Sequence, residues 1–242
     1  EAIEALGKIG DPNIIDHLIE ALNDSDSRVQ ISAIRALSEM RGTEAQELLF
    51  WKFADRFDRI TFPTLSDVLG AKRDLRIVRP TLERLDNFKS PTIRLQLLNS
   101  VCRAQGARRR FYRLVSQDNL ARAERQEEML RQTRRAFRRS RILNNTIKHH
   151  VQNQLKEIHK AFDTDQIENV FEHTKSLATY LEHNIDENTV EALGPEVASR
   201  IGASVLAIKT YLSQSEHRED PALRIVFCIV CLWCIADALT QK

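Results

Sequence analysis

Two sets of side chains in this sequence could do chemistry, a run of arginines and a run of cysteines. From Arg103 to Arg141 the chain carries 13 Arg, four acids and no Lys. The candidates for holding an anion or a partner are Arg108, Arg109 and Arg110 at its start. Arg131, Arg134, Arg135, Arg138, Arg139 and Arg141 are those at its end. A guanidinium presents a planar fork of donors that pairs bidentately with phosphate or carboxylate. That chemistry suits an acidic protein, an anionic lipid headgroup or nucleic acid. Nucleic-acid binding usually adds exposed aromatics, and Phe111, Tyr112 and Phe137 are the only ones nearby. The plainer reading is a solvated helix face, partly self-compensated by Glu127 and Glu128, which stand four and three residues before Arg131.

Cys228, Cys231 and Cys234 form CxxCxxC, a spacing that invites an iron–sulfur or zinc assignment. The intervening residues are Ile, Val, Leu and Trp, with no Gly-rich loop and no nearby fourth ligand. These thiols, with Cys102, read as buried side chains packing as small hydrophobes, and a reducing setting follows. His149 and His150 point to different helix faces, and His159, His173, His183 and His217 fit no metal spacing. P-loop, GxGxxG, GxSxG and HExxH patterns are all lacking. Trp51 and Trp233 lie in apolar settings and read as core. We therefore expect no metal, no cofactor and no enzyme activity.

The elements that must position these side chains are helical. Ile14, Ile15, Leu18, Ile19 and Leu22 recur at helical spacing, as do Val29, Ala33, Ile34, Ala36, Leu37 and Met40. Asn23 to Ser27 between them is a run of turn and N-cap formers. The result is a helical hairpin with a second apolar face that must stack on copies of itself. An offset of 31 residues supplies them: AIEALGKI at 2–9 aligns with AIRALSEM at 33–40. The same step carries Leu18 to Leu49, Leu22 to Phe53, Val29 to Ile60, Ile34 to Leu65 and Leu37 to Val68. A third copy, from Ile77 to Gln105, aligns Leu85 with Leu22, Ile93 with Val29, Leu98 with Ile34 and Val101 with Leu37. Pro91 suits a first helical position there.

The segments AIEALGKIGDPNIIDHLIEALNDSDSRVQISAIRALSEM and RPTLERLDNFKSPTIRLQLLNSVC resemble HEAT repeats of the short bacterial type first grouped with phycobilisome lyases. The resemblance covers roughly residues 1–106 and implies an α-solenoid with a binding surface, without fixing any chemistry. The chain opens inside a second helix with an ordinary internal stripe, so we expect a fragment of a longer protein.

Charge divides the chain: the net balance is −2 over 1–102, +9 over 103–141 and −5 over 142–242. Asp118 is a candidate N-cap for an arginine-bearing helix with Leu120, Ala123, Met129, Leu130, Thr133 and Phe137 inward. Longer helices follow, one toward Phe162, one capped by Asp163-Thr164-Asp165, one from Gly194-Pro195 and one from Asp220-Pro221. Ile225 to Ala236 is uncharged. A bilayer span needs about 20 apolar residues, so it reads as a buried core helix.

The expected architecture is all-α: HEAT-like hairpins over 1–106, then an arginine-rich helix and a helical bundle over 107–242 that caps the solenoid. The expected function is a non-enzymatic protein-interaction, scaffold or regulatory module with a protein partner; no small-molecule substrate is evident. The order of segments also resembles the cytosolic C-terminal extension of some bacterial major-facilitator-type transporters. That resemblance implies a cytoplasmic module near an anionic membrane surface, tied to it through a missing N-terminal region. The alternatives are a nucleic-acid-binding HEAT-like protein using the arginine face, and a tetrapyrrole lyase or lyase chaperone.

Overall fold

The computed structural model describes residue 3 and residues 14–40, 42–55, 57–115, 119–185, 193–214 and 219–240. Among them are twelve α-helices, short 3-10 turns and no strand, so the fold is all-α and HEAT-like. Helices α1 (Ile15–Leu22) and α2 (Ser27–Glu39) pack together across the polar turn. Asp26 caps α2 by accepting the Arg28 backbone N–H at 2.8 Å, as a short acidic side chain at that position should. Most of the apolar stripe is buried, with Leu18, Leu22, Ala33, Ile34, Ala36, Leu37 and Met40 in the core, while Ile14, Ile15, Ile19 and Val29 are half-buried.

The second hairpin is α3 (Thr43–Asp55) with α4 (Phe62–Ala71), and α2 packs on both. Leu49, Phe53 and Leu65 are buried where the 31-residue step puts them. Two expectations fail here. Ile60 is 59% exposed. It sits in the turn before α4, where no helix face exists to carry it inward. Trp51 is 54% exposed, because Leu49 and Phe53 set the inward face of α3 and position 51 falls on the opposite one. Aromatic packing takes over inside: Phe62 stacks on Phe53 at 4.8 Å between ring centres, with Phe57 and Phe88 at 5.2 and 6.1 Å from Phe62.

The third hairpin has a first helix of only six residues, α5 (Val78–Glu83), flanked by 3-10 turns, before α6 (Pro91–Ala104). Helix α4 packs on α6 at Gly70, where a Cβ would lie 2.6 Å from the Ser100 carbonyl oxygen. Only glycine permits that approach, so the C-terminal ends of α4 and α6 are held side by side.

Helices α7 (Arg108–Leu114) and α8 (Asn119–Arg139) lead into α9 (Asn145–Asp163), α10 (Ile167–Asn184), α11 (Pro195–Leu212) and α12 (Pro221–Ala238). Their inward stripes are buried, including Val151, Leu155, Ile158, Leu177, Leu181, Val205 and Ile208. Asn144 caps α9 through the Ile147 N–H, and Asp220 caps α12 through the Ala222 N–H. The expected cap at Asp163-Thr164-Asp165 is not one. Asp163 ends α9, Asp165 turns the chain in a left-handed conformation (φ 55°), and Gln166 precedes α10 with no side-chain cap.

Helix α12 is the one described helix long and apolar enough to cross a membrane, and every residue from Ile225 to Ala236 is buried by α6, α7, α8, α10 and α11. Helix α11 also packs on α5, so the bundle sits against the third repeat.

One polar contact fastens that junction. The Arg94 side chain, on α6, is buried and donates from Nε to Glu219 Oε1 at 2.5 Å. Its Nη1 donates to the Leu85 and Phe88 carbonyls at 2.8 and 3.4 Å and to Asp86 at 3.3 Å. Glu219 immediately precedes the Asp220 cap of α12. Burial first, and then the Glu219 charge, push the buried Tyr211 hydroxyl pKa up. Removing one member of a buried pair strands the other charge and costs about 3–5 kcal/mol, whereas an apolar pair of similar volume is about neutral. Urea unfolding should therefore show Glu219→Ala destabilised by about that amount, with the double change Arg94→Met and Glu219→Leu recovering most of it.

Candidate functional site

Helix α6 ends at Gly106 (φ 79°): the Gly106 N–H bonds to the Arg103 carbonyl at 3.0 Å and the Ala107 N–H to the Cys102 carbonyl at 2.7 Å. This paired closure frees the chain to start α7 at once. Phe111 and Leu114 turn into the core, leaving Arg108 and Arg109 exposed and Arg110 half-buried. The Arg110 guanidinium lies 3.6 Å above the Trp233 ring and donates to Gln132 Oε1 at 3.3 Å. A cation on an indole face is a favourable contact. Trp233 is thus core on one side and a platform on the other.

Helix α8 presents Met129, Leu130, Thr133 and Phe137 to the core, and Thr133 Oγ1 donates back to the Met129 carbonyl at 2.8 Å. Ala123, expected inward, is exposed; the buried residue on that turn is Gln126. The expected cap Asp118 and the side chain of Leu120 lie outside what the structure describes. Arg131 pairs with Glu127 as the four-residue spacing predicts, while Glu128 accepts from Gln132 at 3.0 Å instead of from Arg131.

The nine candidate arginines divide into three groups. Arg135, Arg139 and Arg141 line a cavity of about 720 Å³ whose other walls include Ala136, Ile142, Leu193, Val197 and Leu239. None of the three has an ion-pair or hydrogen-bond partner for its side chain among the described residues. Arg108, Arg109 and Arg110 line a different cavity of about 670 Å³ together with Trp233. Arg131, Arg134 and Arg138 line neither. Arg134 is half-buried, with its carbonyl taken by Gln152 Nε2 at 3.0 Å, and Arg138 is exposed. Arg110 and Gln132 join the two cavities, since each lines one of them.

The second cavity also collects Arg103 and Arg113, which belong to the arginine run but not to its nine candidates, and Arg73, which lies outside the run. A signal existed. The repeat step that aligns Leu65 with Leu98 carries Arg73 onto Gly106, the turn that opens the arginine run.

Among the described residues the cysteines and histidines form no such site. All four thiols are buried, and among the described residues no three His, Cys, Asp or Glu side chains gather to hold a metal. Burial raises the Cys102 and Cys231 thiols well above the ordinary range, and pushes Cys228 and Cys234 up to about 12. His150 stacks on Tyr180 at 3.7 Å, and His159 lies 3.4 Å from Asp163.

Residues 1–59 match the model of a protein family described as HEAT repeats. No curated protein and no solved structure matches the chain. The match covers the first hairpin and the start of the second, and leaves both arginine-lined cavities outside it.

Because a thiolate is the reactive form, a thiol reagent at pH 8 should label none of the four cysteines in the native protein and all four in strong denaturant. The raised thiol values also fix a pH dependence. Unfolded thiols ionise near pH 9 while folded ones stay protonated, so stability holds below that pH and falls as pH rises toward 12. Changing Cys228, Cys231 and Cys234 together to Ala should flatten that alkaline decline in chemical unfolding curves.

Proposed function

We propose that this chain is a non-enzymatic protein-interaction module, with HEAT-like hairpins over 1–106 as its frame and residues 107–242 carrying the binding surface. The partner is an acidic, amphipathic protein segment held in the cavity of Arg135, Arg139 and Arg141. The observation that carries this reading is the pairing of an apolar floor with three guanidiniums lacking carboxylate partners among the described residues. A ligand with carboxylates on one side and aliphatic side chains on the other satisfies both halves. A helix laid in a groove supplies that geometry through residues at i, i+3, i+4 and i+7. No aromatic ring among the described residues lines this cavity, so single-stranded nucleic acid would lose the stacking on which it usually depends. The similarity of residues 1–59 to HEAT repeats supports an interaction role, because stacked repeats form extended surfaces.

Tetrapyrrole attachment draws no support, since all four thiols are buried and held protonated. A place beside a transporter or an anionic membrane rests on the sequence resemblance alone, and the binding reading does not need it.

The test is fluorescence anisotropy with a labelled amphipathic Glu/Leu helical peptide, an acid-only peptide and a single-stranded oligonucleotide. The amphipathic peptide should bind best. Changing Arg135, Arg139 and Arg141 together to Ala should weaken it at least ~10-fold, given about 1.5–3 kcal/mol for each hydrogen bond to a charged group. Ile142→Ser should weaken it less and leave its salt dependence unchanged. Equal binding of the acid-only peptide would overturn the role of the apolar floor, and tighter binding of the oligonucleotide would replace this reading with the nucleic-acid one.

A further inference from the structure

We propose that the second cavity, beneath the turns that end α4 and α6, is a site for a compact anion bearing two or more linked phosphoryl groups. Among the described residues its walls hold six arginines, Arg73, Arg103, Arg108, Arg109, Arg110 and Arg113, and no carboxylate. Two of the six charges are already matched. Arg103 pairs with Asp67 at 3.0 Å, and Arg110 rests on the Trp233 ring. Arg108 only approaches the Tyr112 ring, at 5.6 Å. Arg73, Arg108, Arg109 and Arg113 therefore share about 670 Å³ with no ion-pair partner among the described residues. Four like charges in one cavity repel each other, and a dense anion removes that repulsion with few atoms.

The backbone gives an independent reason to read this as a built site. Helices α4 and α6 end in the same closure. The Arg73 N–H bonds to the Gly70 carbonyl at 3.1 Å and the Asp74 N–H to the Leu69 carbonyl at 3.0 Å, matching the two bonds at Gly106 and Ala107. The residue in the left-handed position of this motif is normally glycine. In α6 it is Gly106; in α4 it is Arg73, with φ 58°. A non-glycine residue pays a conformational cost there that a functional demand can justify. The Arg73 guanidinium carbon lies 3.9 Å from where a Gly106 Cβ would stand. The Arg73 side chain thus rests against the Gly106 turn at ordinary contact distance, and the close α4–α6 contact at Gly70 brings the two turns together.

Linked phosphoryl groups suit this cavity better than a nucleotide, because the one indole face in it is already covered by Arg110. They suit it better than an acidic peptide because phosphoryl oxygens concentrate charge in a small volume and accept bidentate guanidinium pairs. The site stands apart from the proposed peptide groove, which uses Arg135, Arg139 and Arg141.

Calorimetry with sodium tripolyphosphate, orthophosphate and sulfate at matched ionic strength tests the proposal on the full chain. Tripolyphosphate should bind at one site per chain and raise Tm, with orthophosphate and sulfate at least ~10-fold weaker because they make fewer charged hydrogen bonds. Arg73→Gly should weaken tripolyphosphate at least ~10-fold while keeping or raising the Tm of the unliganded protein, since glycine is at ease at that φ. Changing Arg108 and Arg109 to Ala on the exposed face of α7 should weaken it similarly, with circular dichroism unchanged. The Arg135, Arg139 and Arg141 triple variant should bind it as wild type does, which separates this site from the peptide groove. Sulfate binding as tightly, unchanged affinity in Arg73→Gly, loss in the triple variant, or tighter binding of a single-stranded oligonucleotide would each overturn the proposal.

Discussion

The guanidinium of Arg94 meets the carboxylate of Glu219 where the repeats join the bundle, and much of the surface chemistry hangs on where that contact puts α12. Two charges taken out of water need every available partner. Arg94 finds Glu219, two carbonyls of the turn before α6 and Asp86. The residue after Glu219 caps α12. The start of that helix is therefore fixed against α6 by hydrogen-bond geometry as well as by apolar contact, and apolar contact alone has little direction. Fourteen residues after Glu219, Trp233 forms a wall of one arginine cavity; further along, Leu239 forms a wall of the other.

The two cavities use the same cation to different ends. Around Arg135, Arg139 and Arg141 the walls are largely aliphatic, so charge sits at the rim of an apolar surface and selects amphipathic ligands. Around Arg73 and the α7 arginines guanidinium groups dominate the wall, so charge density decides. Arg110 and Gln132 stand between them, each facing a different cavity and hydrogen-bonded to the other. Arginine suits both settings because it stays charged, stacks on rings and donates in a fork.

The middle repeat, in which Phe53 replaces Leu22 and Ile60 has left the core, shows how an imperfect copy can still stack. Phe53 and Phe62, with Phe88 reaching in from the third hairpin, fill with aromatic faces the space between the elements. Cores accept such exchange when volume and patterning are kept. The buried pattern therefore survives at Leu49, Phe53 and Leu65 even where the polar turn has lost its first-hairpin form.

Local spacing alone determined the helices, the hairpin turns, the buried stripes and the burial of the thiols, because a 3.6-residue period and a capping side chain act within a few residues. It misplaced Ile60 and Ala123 where a stripe was extrapolated past the helix or face that carries it, Trp51 where an apolar setting was read as core, and the cap before α10. It named the arginine run but could not sort it. Only the tertiary structure decided that Arg135, Arg139 and Arg141 share a groove while Arg108, Arg109 and Arg110 meet Arg73 and Arg103 elsewhere. That sorting depends on the approach of α4 to α6 at Gly70 and on the depth of α12. Such contacts join residues far apart in the chain, and no local period encodes them.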